Sequence, residues 1–227
     1  MIKKQAPCLL ITILMLIFYN SFILGRQQIP DYVMAYLKKH EVDAELKKEL
    51  DALLSQPEVY RALSQIYRET NISQAKKQLK QAGFIFTGIK THIFKHKLFP
   101  HYIFKMGQCT GKKTEIKCAN RIRMAELIRE TAAELNYAII VPEKQCYFPP
   151  QDLPDLLPQI IVVAEKIDLS GRDKELTPKQ KEECKTIQQI TKIVDLALTR
   201  RVNTMSRHGI VYIIDTEEVL KRVSYPN

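Results

Sequence analysis

The apolar residues of this chain change their period at Gly83. Before it, across 30–82, they recur three and four positions apart, the spacing that lines one side of a helix. After it come short aromatic and β-branched runs at 84–88, 91–95 and 101–106, with turn residues between them. Such runs form strands. The order implies an α+β fold, in which a short helical extension precedes a small antiparallel sheet with a flanking helix.

Local signals place the elements. Asp43 is positioned to cap a helix over 44–54, Pro57 to open one over 58–69, and Ser73 to cap one over 74–82, with Gly83 as the stop. Val59, Leu63, Ile66 and Tyr67 give a modest apolar stripe, as expected of short helices packed on a larger body. Pro100 reads as loop before the third strand, and Asn120 as the cap of a helix to about Leu135 with Ile122, Ala125, Ile128, Ala132 and Leu135 on its apolar face. Further strands are expected at 137–141, 145–148 and 160–164, the last a buried run of five apolar residues. The charged and polar stretch 170–175 reads as loop. Thr177, Pro178 and Gln180 form a capping box with a first-turn proline, opening a long helix that carries Ile187, Ile190, Val194 and Leu198. A His208–Gly209 turn precedes a last strand at 210–214, with Asp215 at its end.

The first 25 residues read as an address. Lys3 and Lys4 precede an apolar run from Cys8 to Leu24, broken only around Tyr19, Asn20 and Ser21. A positive start followed by an apolar stretch is the layout of an export signal. Left uncleaved, the same segment is a membrane anchor with its lysines on the cytoplasmic side. The chain is therefore expected to be membrane-associated or secreted.

Charge narrows the choice of partners. Between Asn71 and Pro150 there are 14 Lys and Arg against 5 Asp and Glu, so this third carries nearly all of the formal +10. A surface that positive attracts nucleotides, nucleic acid or an anionic membrane surface. Nucleic acid is disfavoured, because no aromatic-interleaved RNA signature accompanies the charge. Cys109, Cys118, Cys146 and Cys184 show neither CxxC pairing nor zinc spacing and read as reduced, half-buried thiols, with a Cys109–Cys118 bridge as the alternative outside the cytosol. His92 and His96 read as exposed on a hairpin, and no HExxH motif or nucleophile elbow is present.

Taken in order, the elements and certain residues resemble a protein kinase, over roughly 83–217. Lys105 in Tyr102-Ile103-Phe104-Lys105 stands where the third strand of a kinase places its phosphate-pairing lysine, and Glu126 lies on the next helix, as the partner glutamate does. The run 161–169, with Glu165 and Ile167, is similar to the hinge that meets adenine through its backbone. Asn203 resembles the catalytic-loop asparagine, and Asp215 the metal-binding aspartate at the end of its strand. The resemblance implies ATP and Mg2+ as ligands, with Lys105, Glu126, Glu165 and Ile167 on the nucleotide and Asn203 and Asp215 on the metal.

The departures are equally specific. Leu198 occupies the position of the catalytic aspartate, with Asp195 out of register, and Thr216-Glu217 replaces the phenylalanine–glycine after the metal aspartate. The glycine-rich loop is reduced to Gly83 and Gly88. A leucine cannot take a proton from an attacking hydroxyl. The expectation is a signal or anchor at 1–25, a helical extension at 26–82, and a kinase-like domain at 83–227, with a first lobe to about 169 and a reduced helical second lobe beyond. Its function is expected to be binding or regulatory. An active divergent kinase and a basic adaptor for anionic lipid or a protein partner are the rival readings.

Overall fold

A computed structural model describes residues 30–86, 92–106, 114–150, 160–168, 170–173, 175–192 and 204–214. The chain divides into two units, Met1–Pro30 and Asp31–Asn227, and the fold below is that of the second. The expected signal or anchor lies outside the described residues. Among the described residues, no helix is long and apolar enough to cross a membrane.

Four helices come first: α1 (Asp31–Lys39), α2 (Ala44–Leu54), α3 (Pro57–Tyr67) and α4 (Ile72–Gln81). Asp43 caps α2 through Leu46 N–H at 2.8 Å, and Pro57 opens α3. The start of α4 differs from the expectation. Ser73 lies inside the helix, and Asn71 takes the cap position in a left-handed conformation (φ 47°), which asparagine tolerates better than most residues. Gly83 ends the run with φ 97°, and a Cβ there would also stand 3.1 Å from the His96 ring.

The main sheet has five antiparallel strands: β1 (Phe84–Phe86), β2 (Ile93–His96), β3 (Phe99–Met106), β5 (Lys144–Tyr147) and β6 (Ile161–Glu165), in the order β1-β2-β3-β6-β5. Pro100 lies within β3 rather than in a loop. It falls where the β2–β3 register shifts and before the pairing with β6 begins at Tyr102, so its missing N–H is not needed there.

Helices α2–α4 cover one face of this sheet. Leu50, Leu53, Leu63 and Leu79 share a single core with Phe84, Phe94, Phe104 and Tyr147. The rings of Phe94 and Phe104 stack at 5.3 Å, and Phe99 meets Phe104 edge-on at 5.8 Å. Tyr147 donates to Asp51 Oδ1 at 2.7 Å, tying β5 to α2. His96 belongs to this core, not to an exposed hairpin. Its Nε2–H donates to Ala82 O at 2.9 Å and its Nδ1 accepts from Leu98 N–H at 3.2 Å, so a neutral ring satisfies both contacts.

Helix α5 (Thr114–Glu134) starts six residues earlier than Asn120, because Cys118 and Ala119 are already buried. It packs against β5 and contributes Met124, Ala125, Ile128 and Ala132 to a second core. That core is closed by α6 (Pro178–Thr191) and a three-stranded sheet of β4 (Ile139–Ile140), β8 (Ile210–Ile213) and β7 (Thr204–Arg207). The Thr177–Gln180 capping box has both of its bonds, at 3.2 and 2.9 Å. Ile187 is buried and Ile190 exposed, while Val194 and Leu198 lie outside the described residues. His208 and Gly209 both take positive φ (51° and 81°), as a two-residue hairpin turn requires. The sequence reading missed the strand β7. Cys118, Cys146 and Cys184 are free thiols buried more deeply than expected, while Cys109, the other half of the alternative bridge, lies outside the described residues.

Candidate functional site

The other face of the main sheet carries Lys105 alone of the four expected nucleotide residues; Glu126 lies on α5, Glu165 alternates to the opposite face, paired with Tyr102, and Ile167 follows the end of β6. Directly paired residues share a face, and successive residues alternate between faces. Lys105 is flanked by Ile93 on β2 and Val162 on β6, and Val162 by Cys146 on β5. One step along, Ile103 pairs with Ala164 and Ala164 with Lys144, while Ile85 pairs with Lys95. The result is an aliphatic surface edged with lysine. On this face Ile93, Lys95, Ile103, Lys105 and Ala164 are half-buried while Val162, Cys146 and Lys144 toward β5 are buried; on the opposite face Phe94, Phe104 and Val163 are all buried.

Helix α5 lies along the β5 side, with Cys118 in the electrostatic reach of both Lys105 and Cys146. Burial pushes the Cys118 thiol up to about 11, with Arg121, Glu115 and Lys105 adding smaller charge effects of either sign. A thiol so placed is a packing group at neutral pH, not a nucleophile. Burial likewise raises Cys146, and it raises Cys184 to about 12.

Glu126 sits farther along α5, and the structure gives it partners that the sequence reading did not name. His40 Nε2 lies 2.6 Å from its Oε1, Tyr36 O–H donates to its Oε2 at 2.6 Å, and Arg123 Nη1 reaches the same oxygen at 3.5 Å. Burial is the largest single influence and opposes ionisation, but the bonds from Tyr36 and His40 and the charges of His40 and Arg123 outweigh it. The carboxyl is held below its usual range. Arg123 also donates to Glu130, while Arg129 turns to the carbonyls of Val141 and Pro142. Tyr36 and His40 were open to detection, since their spacing of four puts two polar tips on the face of α1 that buries Val33 and Leu37.

At the expected hinge, Glu165 ends β6 exposed and Ile167 is half-buried. The N–H of Glu165 donates to Glu143 O at 3.0 Å and that of Lys166 to His101 O at 2.7 Å. The backbone donors of Glu165 and Lys166 are therefore committed within the protein. Asn203 and Asp215, along with Asp195 and Leu198, lie outside the described residues. Among the described residues no group of three or more His, Cys, Asp or Glu is placed to hold a metal ion. A small apolar cavity of about 10 Å³ lies on the aromatic face, between Leu50, Leu53, Phe94, Phe104 and Tyr147. It is separated from Lys105 by the sheet and is too small for any base. No protein-family model, curated protein or solved structure matches the chain.

Proposed function

We propose that this chain is an exported or membrane-tethered kinase-like module that binds a nucleotide on the aliphatic, lysine-edged face of its main sheet and acts by binding rather than by phosphate transfer. One observation carries the reading. Ile93, Ile103 and Ala164 lie on the same half-buried face as Lys105, with α5 along one side. A flat apolar patch suits a purine ring, and an ammonium beside it suits phosphate oxygens.

In this reading the base rests on Ile103 and Ala164, the backbone of Ile167 sets its orientation, and Lys105 lies against the phosphates. Asn203 and Asp215 have the hard oxygen donors that Mg2+ takes. The metal, when bound, neutralises phosphate charge. Leu198 at the general-base position argues against transfer to an acceptor hydroxyl.

The test is thermal unfolding with ATP and Mg2+. Binding raises the melting temperature by mass action, and Lys105→Ala abolishes the rise. No shift at millimolar ATP rejects the nucleotide reading. Turnover that disappears in Asp215→Ala favours an active divergent kinase instead. A second reading, a basic adaptor for an anionic membrane, rests on the exposed Lys77 and Lys80 of α4 and on Lys97, whose N–H bonds to Gly83 O at 3.2 Å beside the end of that helix. Salt-sensitive binding to phosphatidylserine vesicles, lost when these three lysines are replaced, supports it.

A further inference from the structure

From Thr70 to Thr114 the sequence has nine Lys, no Arg and no Asp or Glu. Helix α4 and strands β1, β2 and β3 all fall inside this stretch. Lys77 and Lys80 are exposed on α4, and Lys97 is exposed at the tip of the β2–β3 hairpin. With no carboxylate in the same elements to offset them, their charges add. The tip itself is Lys97-Leu98: His96 pairs with Phe99, so these two residues make the whole turn. Two-residue turns favour Asn-Gly or another glycine-containing pair. Leu98 does not meet that preference, nor does it join the core. It is 70% exposed, more than any other large hydrophobic side chain among the described residues.

The tip is nevertheless fixed in place. Leu98 N–H donates to His96 Nδ1 at 3.2 Å, His96 Nε2–H donates to Ala82 O at 2.9 Å, and Lys97 N–H donates to Gly83 O at 3.2 Å. The last two bonds join the tip to the end of α4, which places an exposed leucine beside a basic helix. Such a pairing fits the boundary layer of a membrane, where an apolar group reaches the acyl chains and ammonium groups meet anionic headgroups. Nucleic acid fits it less well. Its phosphates are best met by the planar guanidinium of arginine, which this stretch lacks, and its bases by exposed aromatic rings. Phe84, Phe94, Phe99 and Phe104 are buried here, and Phe86 and Tyr102 are half-buried against the core.

We propose that the tip of the β2–β3 hairpin is a membrane-insertion point, at which Leu98 enters an anionic phospholipid surface while Lys77, Lys80 and Lys97 engage its headgroups. The proposal rests on the adaptor reading above and adds to it an apolar contact of defined position. Charge alone gives binding that salt screens away, whereas the leucine contributes a share that salt does not screen.

The chain has no Trp, so Leu98→Trp puts a single reporter at the tip of the full-length protein. A local readout is needed, because the apolar run at 8–24 can bring the whole chain to any vesicle. With vesicles of phosphatidylserine and phosphatidylcholine, the emission is expected to shift to the blue and to be quenched by brominated lipid. Phosphatidylcholine alone should leave it unchanged, and Lys77→Gln/Lys80→Gln/Lys97→Gln in the same chain should abolish both effects. Lysine acetylation of the wild type reads the contact separately. Phosphatidylserine vesicles should slow modification of Lys77, Lys80 and Lys97 several-fold relative to Lys48, which is exposed on α2. Protected lysines with an unquenched reporter overturn the insertion and leave the electrostatic reading standing. Equal quenching in phosphatidylcholine alone overturns the anionic requirement and the proposal with it. If a single-stranded oligonucleotide protects the lysines and no vesicle quenches the reporter, the surface belongs to nucleic acid. Neither quenching nor protection overturns the insertion and the adaptor reading together.

Discussion

The two faces of the main sheet are cut from the same strands, residue by alternate residue, and they have been put to different uses. Phe94, Phe104, Val163 and Tyr147 point into a core sealed by α2–α4, with a nearly filled interior and stacked rings. Ile93, Ile103, Lys105 and Ala164 point the other way and remain half-buried. The difference lies in what covers each face: three helices on one side, and α5 along β5 on the other. A face whose side chains are already spent on packing cannot also receive a ligand. A half-covered face of aliphatic groups and lysines can.

The contrast breaks most sharply at Phe104. Phe104→Ala removes a ring packed against Phe94 and Phe99 in a closed core, and is expected to lower unfolding stability by about 3–5 kcal/mol. Urea denaturation measures it. A loss below about 1 kcal/mol means the aromatic face is not the tight one. Next in size is Tyr147→Phe, which takes away the 2.7 Å bond to Asp51 while leaving the ring in place. Burial and the Asp51 carboxylate together raise the pKa of this phenol, so it stays a neutral donor. The expected loss is about 1–3 kcal/mol, typical of a hydrogen bond to a charged group. An unchanged denaturation midpoint contradicts it.

Acid offers a gentler probe of the same face. Burial, more than the charge of Lys97, holds the His96 pKa below its ordinary value, although the bond to Ala82 pulls the other way. The unfolded chain takes up this proton near pH 6.5, and the folded protein only at lower pH. The contribution is therefore fully present above about pH 6.5 and is lost as pH falls toward the folded pKa. Melting temperature should decline between pH 7.5 and 5.5, with a shallower slope in His96→Gln. Equal slopes show that His96 is not the group responsible.

How much of this was legible in the sequence depended on the range of the signal. The Asp43 cap, the Thr177–Gln180 box and the His208–Gly209 turn are set by residues within three positions of each other, and each is found as read. The strand β7 is hidden because its buried side is made of hydroxyls. Thr204 and Ser206 are buried, and Ser206 donates to Asp173 while accepting from Gln180, so Thr-Met-Ser-Arg shows no apolar alternation. His96 reads as a surface residue until Ala82 and Leu98 are seen to satisfy its two nitrogens. The start of α5 is misplaced because Asn120 has the chemistry of a cap, while the burial of Cys118 and Ala119 carries the helix past it. The candidate site divides in the same way. Strand alternation puts Ile103 and Lys105 on one face from sequence alone, but the engagement of Glu126 by residues 86 and 90 positions away is a property of the fold.

The smallest expected effect on stability is the most informative about function, and it lies one residue from the largest. Lys105 follows Phe104 on β3, so the two side chains leave the same stretch of strand in opposite directions. If the lysine-edged face is a binding surface, Lys105→Ala should change unfolding stability by less than about 1 kcal/mol, as substitutions outside the packed core do. The same variant should lose the stabilisation that ATP and Mg2+ give the wild type. Phe104→Ala should do the reverse, unfolding earlier but, while still folded, gaining the same increment from ATP, because its ring does not face the ligand. The comparison needs only melting curves of three proteins with and without ATP. Should Lys105→Ala prove as destabilising as Phe104→Ala, the lysine is part of the structural framework, and the two faces are less different than their residues suggest. Should both variants keep the full ATP increment, the nucleotide lies elsewhere on the molecule.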